Sequence, residues 1–577
     1  MVHSSTTTPV VVSTGPVSFA DLVAVARGNA PVELSGEAVA AITKAREAVE
    51  VLAEAPTPAY GISTGFGALA TRHIPTAMRA QLQKSLVRSH AAGSGPEVER
   101  EVVRGLMLLR LSTLATGHTG VRPATAQLIA DLLSHGITPV VREHGSLGCS
   151  GDLAPLAHCA LALMGEGEVR DASGTLMPAA NALAAAGLQP VELVAKEGLA
   201  LINGTDGMLG MLVLALTDLS VLMRTADVAA AMSVEAQLGT DRVFAPELQA
   251  LRPHPGQARS AANLTAILKD SGVVASHRGP DCNRVQDAYS LRCSPQVHGA
   301  ARDTFDHCAA VAGRELDSAV DNPVVLDDGR VESNGNFHGA PVGYVLDFAA
   351  IAAADVASIS ERRTDRVLDK ARSHGLPPFL ADDPGVDSGH MIAQYTQAAI
   401  VSELKRLAVP ASVDSIPSSA MQEDHVSMGW SAARKLRRSV DGLTRVLAIE
   451  LLTAARALDL RAPLRPGPAT GAVVAALRER VAGPGHDRHL APEIEAAVEF
   501  VRSGAAVAAA DAVLRTPLRG RWTCVVPSSH PPRRPPSSRS SVTRASTARV
   551  RTATSRPRSR QPSSWSGRAP SSTPSKA

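Results

Sequence analysis

Between Ser431 and Ala462 the apolar residues Leu436, Val440, Leu443, Leu447, Leu451, Ala454 and Leu458 recur at three- and four-residue spacings. That periodicity marks one buried helical face. A helix of ~30 residues spans ~45 Å, longer than the usual element of a compact domain. Phe348–Val367 and Met391–Ala408 repeat the pattern, with small residues facing close neighbours, and Asp21–Arg27 and Glu37–Ala53 read as shorter amphipathic helices. Convincing β alternation is scarce. The chain is therefore predicted to be mainly α, with long helices in a bundle of a kind that subunits can share. Apolar residues make up 45% of the 577, enough for a substantial core and enough to exclude wholesale disorder.

The net charge of +3 conceals two unlike parts. Thirteen of the 58 basic residues and none of the 55 acidic ones lie beyond residue 518, so residues 1–518 carry a net charge of −10. Arg519–Ala577 holds 15 Ser, 12 Arg and 9 Pro, a composition that cannot bury enough surface to fold. Three readings compete for it: a nucleic-acid-binding arm, an inert disordered extension, or an out-of-frame translation of a GC-rich gene. The third accounts best for the Ser/Arg/Pro/Thr mixture. The expected organisation is a flexible N-terminus at 1–15, an N-terminal domain at 16–210, a helical bundle at 211–518 and the basic tail at 519–577.

Met1–Gly15 lacks the basic start and apolar run of a secretory signal. The longest apolar stretch, Met208–Met223, is broken by Asp218 and falls short of a membrane span, so a buried core helix is expected. The cysteines at 149, 159, 282, 293, 308 and 524 form no CxxC, which points away from disulfides and structural zinc. A cytosolic protein is expected. None of the 18 His forms HExxH, and no phosphate-cradling glycine loop is evident, so neither metal nor nucleotide is expected.

The segments that do not read as helical are Gly-rich and polar: Tyr60–Gly67 (YGISTGFG), Glu143–His158 (EHGSLGCSGDLAPLAH), Ile202–Thr205 (INGT), Gln286–Gln296 (QDAYSLRCSPQ), Ser333–Gly339 (SNGNFHG) and Met421–Gly429 (MQEDHVSMG). Rigid scaffolds commonly present reacting groups on such loops. Within Cys149-Ser150-Gly151-Asp152 the unhindered Gly nitrogen can attack the carbonyl two residues back and close a five-membered ring. Loss of two waters, one from the Ser hydroxyl, leaves an exocyclic methylene, an electrophile made from backbone alone. A lone xSGD is far more often a turn or a helix cap.

The surrounding residues change that reading. GSLGCSGDLAPLAH resembles the active-site motif of the aromatic amino acid lyase family, the ammonia-lyases and aminomutases carrying a methylideneimidazolone group. YGISTGFG, INGT, QDAYSLRCSPQ, GNFHG and QEDHVSM follow in the family's order, over roughly residues 10–515. The resemblance implies a long-helix bundle of the fumarase/aspartase-like type, with a smaller loop-rich N-terminal region carrying the electrophile. It implies an electrophile built from Cys149, Ser150 and Gly151, with Ser150 dehydrated and a Cys149–Gly151 imidazolinone crosslink. Most members have Ala where this chain has Cys149. Because the ring uses only the backbone there, Cys149 is expected to be a small neighbour rather than a reacting thiol.

By the same resemblance Tyr60 is the general base, Arg292 the carboxylate clamp, and Asn203 and Tyr289 partners of the electrophile and the amino group. Gln286 and Phe337 further line the substrate pocket. Asp152 either orients the cyclising backbone or caps a helix. Ser89-His90 and Glu423 match the histidine-using members, where tyrosine- and phenylalanine-using relatives differ. A His and a carboxylate can hydrogen-bond the two imidazole nitrogens, and a phenyl ring would leave them unpaired at ~1–3 kcal/mol each. The expected reaction is elimination of ammonia from L-histidine to give trans-urocanate. A tyrosine or phenylalanine lyase or an aminomutase is the runner-up, and nucleic-acid binding through the tail the distant alternative. The resemblance also implies a homotetramer whose sites draw on three subunits, so that Tyr60, Ser150 and Glu423 need not be neighbours in one chain.

Overall fold

The computed structural model describes residues 8–55, 58–279, 282 and 285–520. Apart from Arg519 and Gly520, the basic tail lies outside them, as does the first half of the N-terminus.

Five long helices build the centre: Asp206–Ala236, Ser294–Leu316, Ala340–Leu368, Met391–Leu407 and Gly429–Asp459. The Gly429–Asp459 helix realises the periodicity of Leu436 through Leu458, and all seven of those residues are buried. It packs against Ala340–Leu368, Met391–Leu407 and Asp206–Ala236. In Asp206–Ala236, Met208 through Leu216 are all buried, so that stretch has no polar face. By length and apolarity it and Ala340–Leu368 would each suffice to cross a membrane. Here both bury most of that apolar stretch against neighbouring helices. The main apolar core draws on residues from Val10 to Leu518, beside a small second cluster of Ala45, Val49, Ile62, Ala195 and Val325, and residue 210 lies inside an unbroken helix.

A buried ionic knot joins three of these helices. Glu450 accepts from Arg363 Nε at 2.5 Å and Nη2 at 2.9 Å, from Ser233 Oγ at 2.7 Å and from Ser360 Oγ at 2.6 Å. Four donors satisfy a carboxylate that would otherwise be costly to bury.

The N-terminal region is made of shorter helices and two- to four-residue strands. Phe19–Ala26 begins with a reciprocal cap between Ser18 and Asp21, and Gly36–Glu54 with Ser35 accepting the Ala38 N–H. Val10–Val12 pairs in parallel with Val32–Leu34, while Ser94–Glu97 pairs antiparallel with Arg142–His144. Thr138–Pro139, Glu168–Arg170 and Leu176–Pro178 form a three-stranded antiparallel sheet, and Val324–Val325 pairs with Val331–Glu332. Such strands are too short for alternation to register in the sequence.

Two segments read as wholly loop are partly helical. Leu153–Leu163 forms a helix from within the CSGDLAPLAH run, where Ala and Leu favour it. Tyr289–Arg292 forms one helical turn, and Ser294–Leu316 begins inside the segment assigned to Gln286–Gln296, with Pro295 in its first turn.

Candidate active site

The loop at residues 148–151 is shaped by close backbone approach. Gly148 and Cys149 each pair with Gly151 across Ser150, and Gly151 also pairs with Gly204. Gly151 has a left-handed φ of 77°, and a Cβ added to it would collide with the Gly204 carbonyl. Only glycine fits there. The chain is thus doubled back at Ser150, with Gly151 paired to Cys149. The Ser150 hydroxyl donates to Asn203 Oδ1. Asn203 is buried, and its Nδ2 donates to the Asn322 carbonyl at 2.8 Å.

Asp152 occupies the N-cap position of Leu153–Leu163, but its side chain makes no cap bond to that helix. Its Oδ2 instead accepts the Met208 N–H at 2.9 Å, and its Oδ1 accepts from Ser146 Oγ at 3.0 Å. Its own N–H donates to Gly204 O at 2.7 Å. Helix capping is part of its role, but of the Asp206–Ala236 helix. Full burial pushes its carboxyl up to about 7.

Ser150 opens onto a cavity of about 450 Å³ lined also by Tyr60, His90, Leu153, Ser419 and Glu423. One chain therefore suffices to gather Tyr60, His90, Ser150 and Glu423, which were not required to be neighbours within a chain. The half-buried Tyr60 accepts the Gly67 N–H at 3.3 Å. Burial, with Glu423 nearby, raises its phenol above the ordinary value. His90 Nδ1 lies 2.9 Å from the Leu86 carbonyl. A carbonyl only accepts, so Nδ1 carries the proton and Nε2 is left as an acceptor when the ring is neutral. Burial holds His90 below the usual imidazole range. Glu423 accepts from Ser418 Oγ at 2.6 Å, and the two residues also exchange backbone hydrogen bonds. Ser419 ties this loop to the Tyr60 loop by accepting the Ala68 N–H at 3.3 Å. Burial first, and Glu423 second, push the Cys149 thiol up to about 11, so it stays protonated at neutral pH.

The remaining site residues predicted from the sequence lie elsewhere. Gln286 and Arg292 line a second cavity of about 340 Å³ that shares no residue with the first. The Arg292 guanidinium sits 4.7 Å above the ring of Tyr289, which is 72% exposed, and its Nε is buried without a hydrogen-bond partner. Phe337 is half-buried in a loop whose next residue, His338, stacks on His425. Sequence reasoning passed over Ser418, Ser419 and Gly204. Gly204 follows Asn203 directly in INGT and could have been found, but Ser418 and Ser419 carry no motif. Among the described residues Asp382, Asp387 and His486 place metal-ligand-type atoms within 4.8 Å of one another. None of the three lines either of these two cavities.

Three comparisons bear on this arrangement. A family profile described as aromatic amino acid lyase matches residues 17–479. The histidine ammonia-lyase of Streptomyces avermitilis is 68% identical over 505 residues, covering 87% of this chain and 98% of that protein. Among solved structures, the tyrosine aminomutase of Streptomyces globisporus superposes with a TM-score of 0.84 at 38% identity, covering 89% of this chain and 100% of its own. The histidine ammonia-lyase of Trypanosoma cruzi gives a TM-score of 0.80 at 38% identity, covering 87% and 95%. With the bundle, the doubled-back Cys149–Gly151 turn and a profile that spans most of the fold, the chain belongs to the aromatic amino acid lyase family.

Proposed function

We propose that this chain is a carbon–nitrogen lyase that eliminates ammonia from L-histidine to give trans-urocanate, as a histidine ammonia-lyase of the cytoplasm. The observation that carries the reading is the single cavity holding Ser150 together with Tyr60, His90 and Glu423. The high identity to relatives named histidine ammonia-lyase supports it.

A methylideneimidazolone formed from Cys149, Ser150 and Gly151 supplies an electrophile for the substrate's amino group. The left-handed Gly151 and its contact with Gly204 fit such a ring. Tyr60 takes the β-proton. Burial and Glu423 hold the phenol above its ordinary value, so it is protonated at rest and must lose that proton before it acts as a base. Glu423 accepts the one N–H of the imidazole, with His90 beside it, which sets specificity against phenylalanine. Arg292 clamps the carboxylate in a bidentate fork.

Gln286, Tyr289, Arg292 and Phe337 join this cavity from neighbouring subunits of a homotetramer. Supporting this are the separation of the two cavities within the chain and the exposed apolar stripe of Tyr344, Phe348 and Ile351 on one helix. L-Histidine, L-tyrosine and L-phenylalanine should be compared by the absorbance of their elimination products, beside Ser150→Ala. Turnover of histidine alone, abolished in the variant, is expected. Preferred turnover of tyrosine, or a β-amino acid product, would overturn the reading.

A further inference from the structure

Behind Asn203 lies a polar network that the reaction as described does not use. Lys196 Nζ and Asp321 Oδ2 are 2.6 Å apart, and both side chains are at most 1% exposed. Burying two charges carries a desolvation penalty that their attraction offsets only with further hydrogen bonds, so such a pair is a weak device for stability alone. The second carboxylate oxygen shows where the pair acts. Asp321 Oδ1 accepts the Asn322 N–H at 2.7 Å and lies 3.4 Å from Asn203 Nδ2.

Asn203 Nδ2 also donates to the Asn322 carbonyl at 2.8 Å. Both amide hydrogens thus face acceptors on the 321–322 segment, and only the amide oxygen remains for the Ser150 hydroxyl. Turned over, the amide would set its oxygen against a carboxylate and a carbonyl, with no donor between them. The backbone is held as firmly: Arg110 donates to Asn203 O at 2.7 Å and to Val320 O at 2.8 Å. Lys196 itself has a left-handed φ of 71°, unusual for a residue with a side chain, and immediately precedes the Glu197–Ile202 helix that leads to Asn203.

We propose that the buried Lys196–Asp321 pair is a positioning device that locks the Asn203 amide, and through it holds the Ser150 hydroxyl in the orientation from which it is lost. The inference rests on the proposed self-made electrophile. In that chemistry the Gly151 nitrogen bonds to the Cys149 carbonyl carbon. The Cys149 oxygen leaves as water with the amide hydrogens of Ser150 and Gly151. The Ser150 hydroxyl leaves as a second water with the Ser150 α-hydrogen. Lys196 and Asp321 touch none of the reacting atoms.

The test is the intact mass of the full chain, with thermal unfolding measured in parallel. Wild type should lack the mass of two waters; its full unmodified mass in an active preparation would refute the electrophile itself. Lys196→Met/Asp321→Leu removes both charges without orphaning either, and is expected to fold yet retain largely unmodified mass. The isosteric Asp321→Asn reads the same quantity should the double variant not fold. Complete loss of two waters in a folded variant of either kind, beside a modified wild type, overturns the positioning role. A merely structural pair would lower the unfolding temperature and leave the mass loss complete.

Discussion

Asp152 caps a helix other than the one it begins, its Oδ2 accepting the Met208 N–H at 2.9 Å in the first turn of Asp206–Ala236. The bond ties the reactive loop to the most buried helix of the bundle. It also has an electrostatic consequence. The helix terminus favours an anion, but full burial outweighs it and holds the carboxyl at about 7.

Between its ordinary value of 3.8 and about 7, Asp152 therefore keeps a proton in the folded state that the unfolded chain has released. Linkage then requires stability to fall as pH rises through that window and to level off above it. Asp152→Asn, which cannot ionise, should lack this component. Urea unfolding of both proteins at about pH 5 and about pH 8 reads it: wild type loses ground to the variant at the higher pH.

Gly151→Ala should be among the most damaging single-methyl additions. It carries the ~1–2 kcal/mol of a left-handed non-glycine residue and a collision with the Gly204 carbonyl. Soluble protein with a lower melting temperature and its full unmodified mass is the expected outcome, and complete loss of two waters in Gly151→Ala would contradict the packing described.

Glu423→Gln removes the charge that raises both Tyr60 and His90. The Tyr60 phenol should ionise at lower pH than in wild type, visible as phenolate absorbance, and His90 should protonate at lower pH. Histidine turnover should fall, while inhibition by phenylalanine, whose ring has no N–H to offer the carboxylate, should hardly change. An equal weakening of both would remove Glu423 from specificity.

Arg363→Met leaves Glu450 buried with two hydroxyl donors and no cation. Breaking one half of a buried pair typically costs about 3–5 kcal/mol, so a marked drop in melting temperature is expected. Replacing both residues with apolar ones of similar volume should restore much of it.

A chain ending at Gly520 keeps every contact described here. One ending at Pro517 loses the Leu518 bond to Asp511, the paired backbone bonds of Arg519 to Asn263, and the Gly520 bond to Ser220. Asn263 is buried, and an unsatisfied buried partner typically costs about 1–3 kcal/mol, so the shorter of these two chains should unfold at lower denaturant.

The bundle was legible because its helices are long: Leu436 to Leu458 repeat often enough for periodicity to stand above noise. The small strands were not, since two or three residues such as Val324–Val325 cannot alternate. At the site, CSGD and INGT were legible as motifs whose members sit within a few residues of each other. The pair behind them was not, because Lys196 and Asp321 are 125 residues apart and nothing local marks either. Asp152 was half-read. Its place before a helix was visible, while its bond to a different helix depends on how the chain folds back.

The crowding around Ser150 limits how this loop can diverge. Gly151 has no room for a side chain, and Gly148 would meet Ser427 if it gained one. Cys149 by contrast already carries a side chain, partly exposed toward Glu423. Sequence drift at residues 148–151 therefore has one open door, at residue 149, where a change alters what faces Glu423 without crowding the backbone on either side.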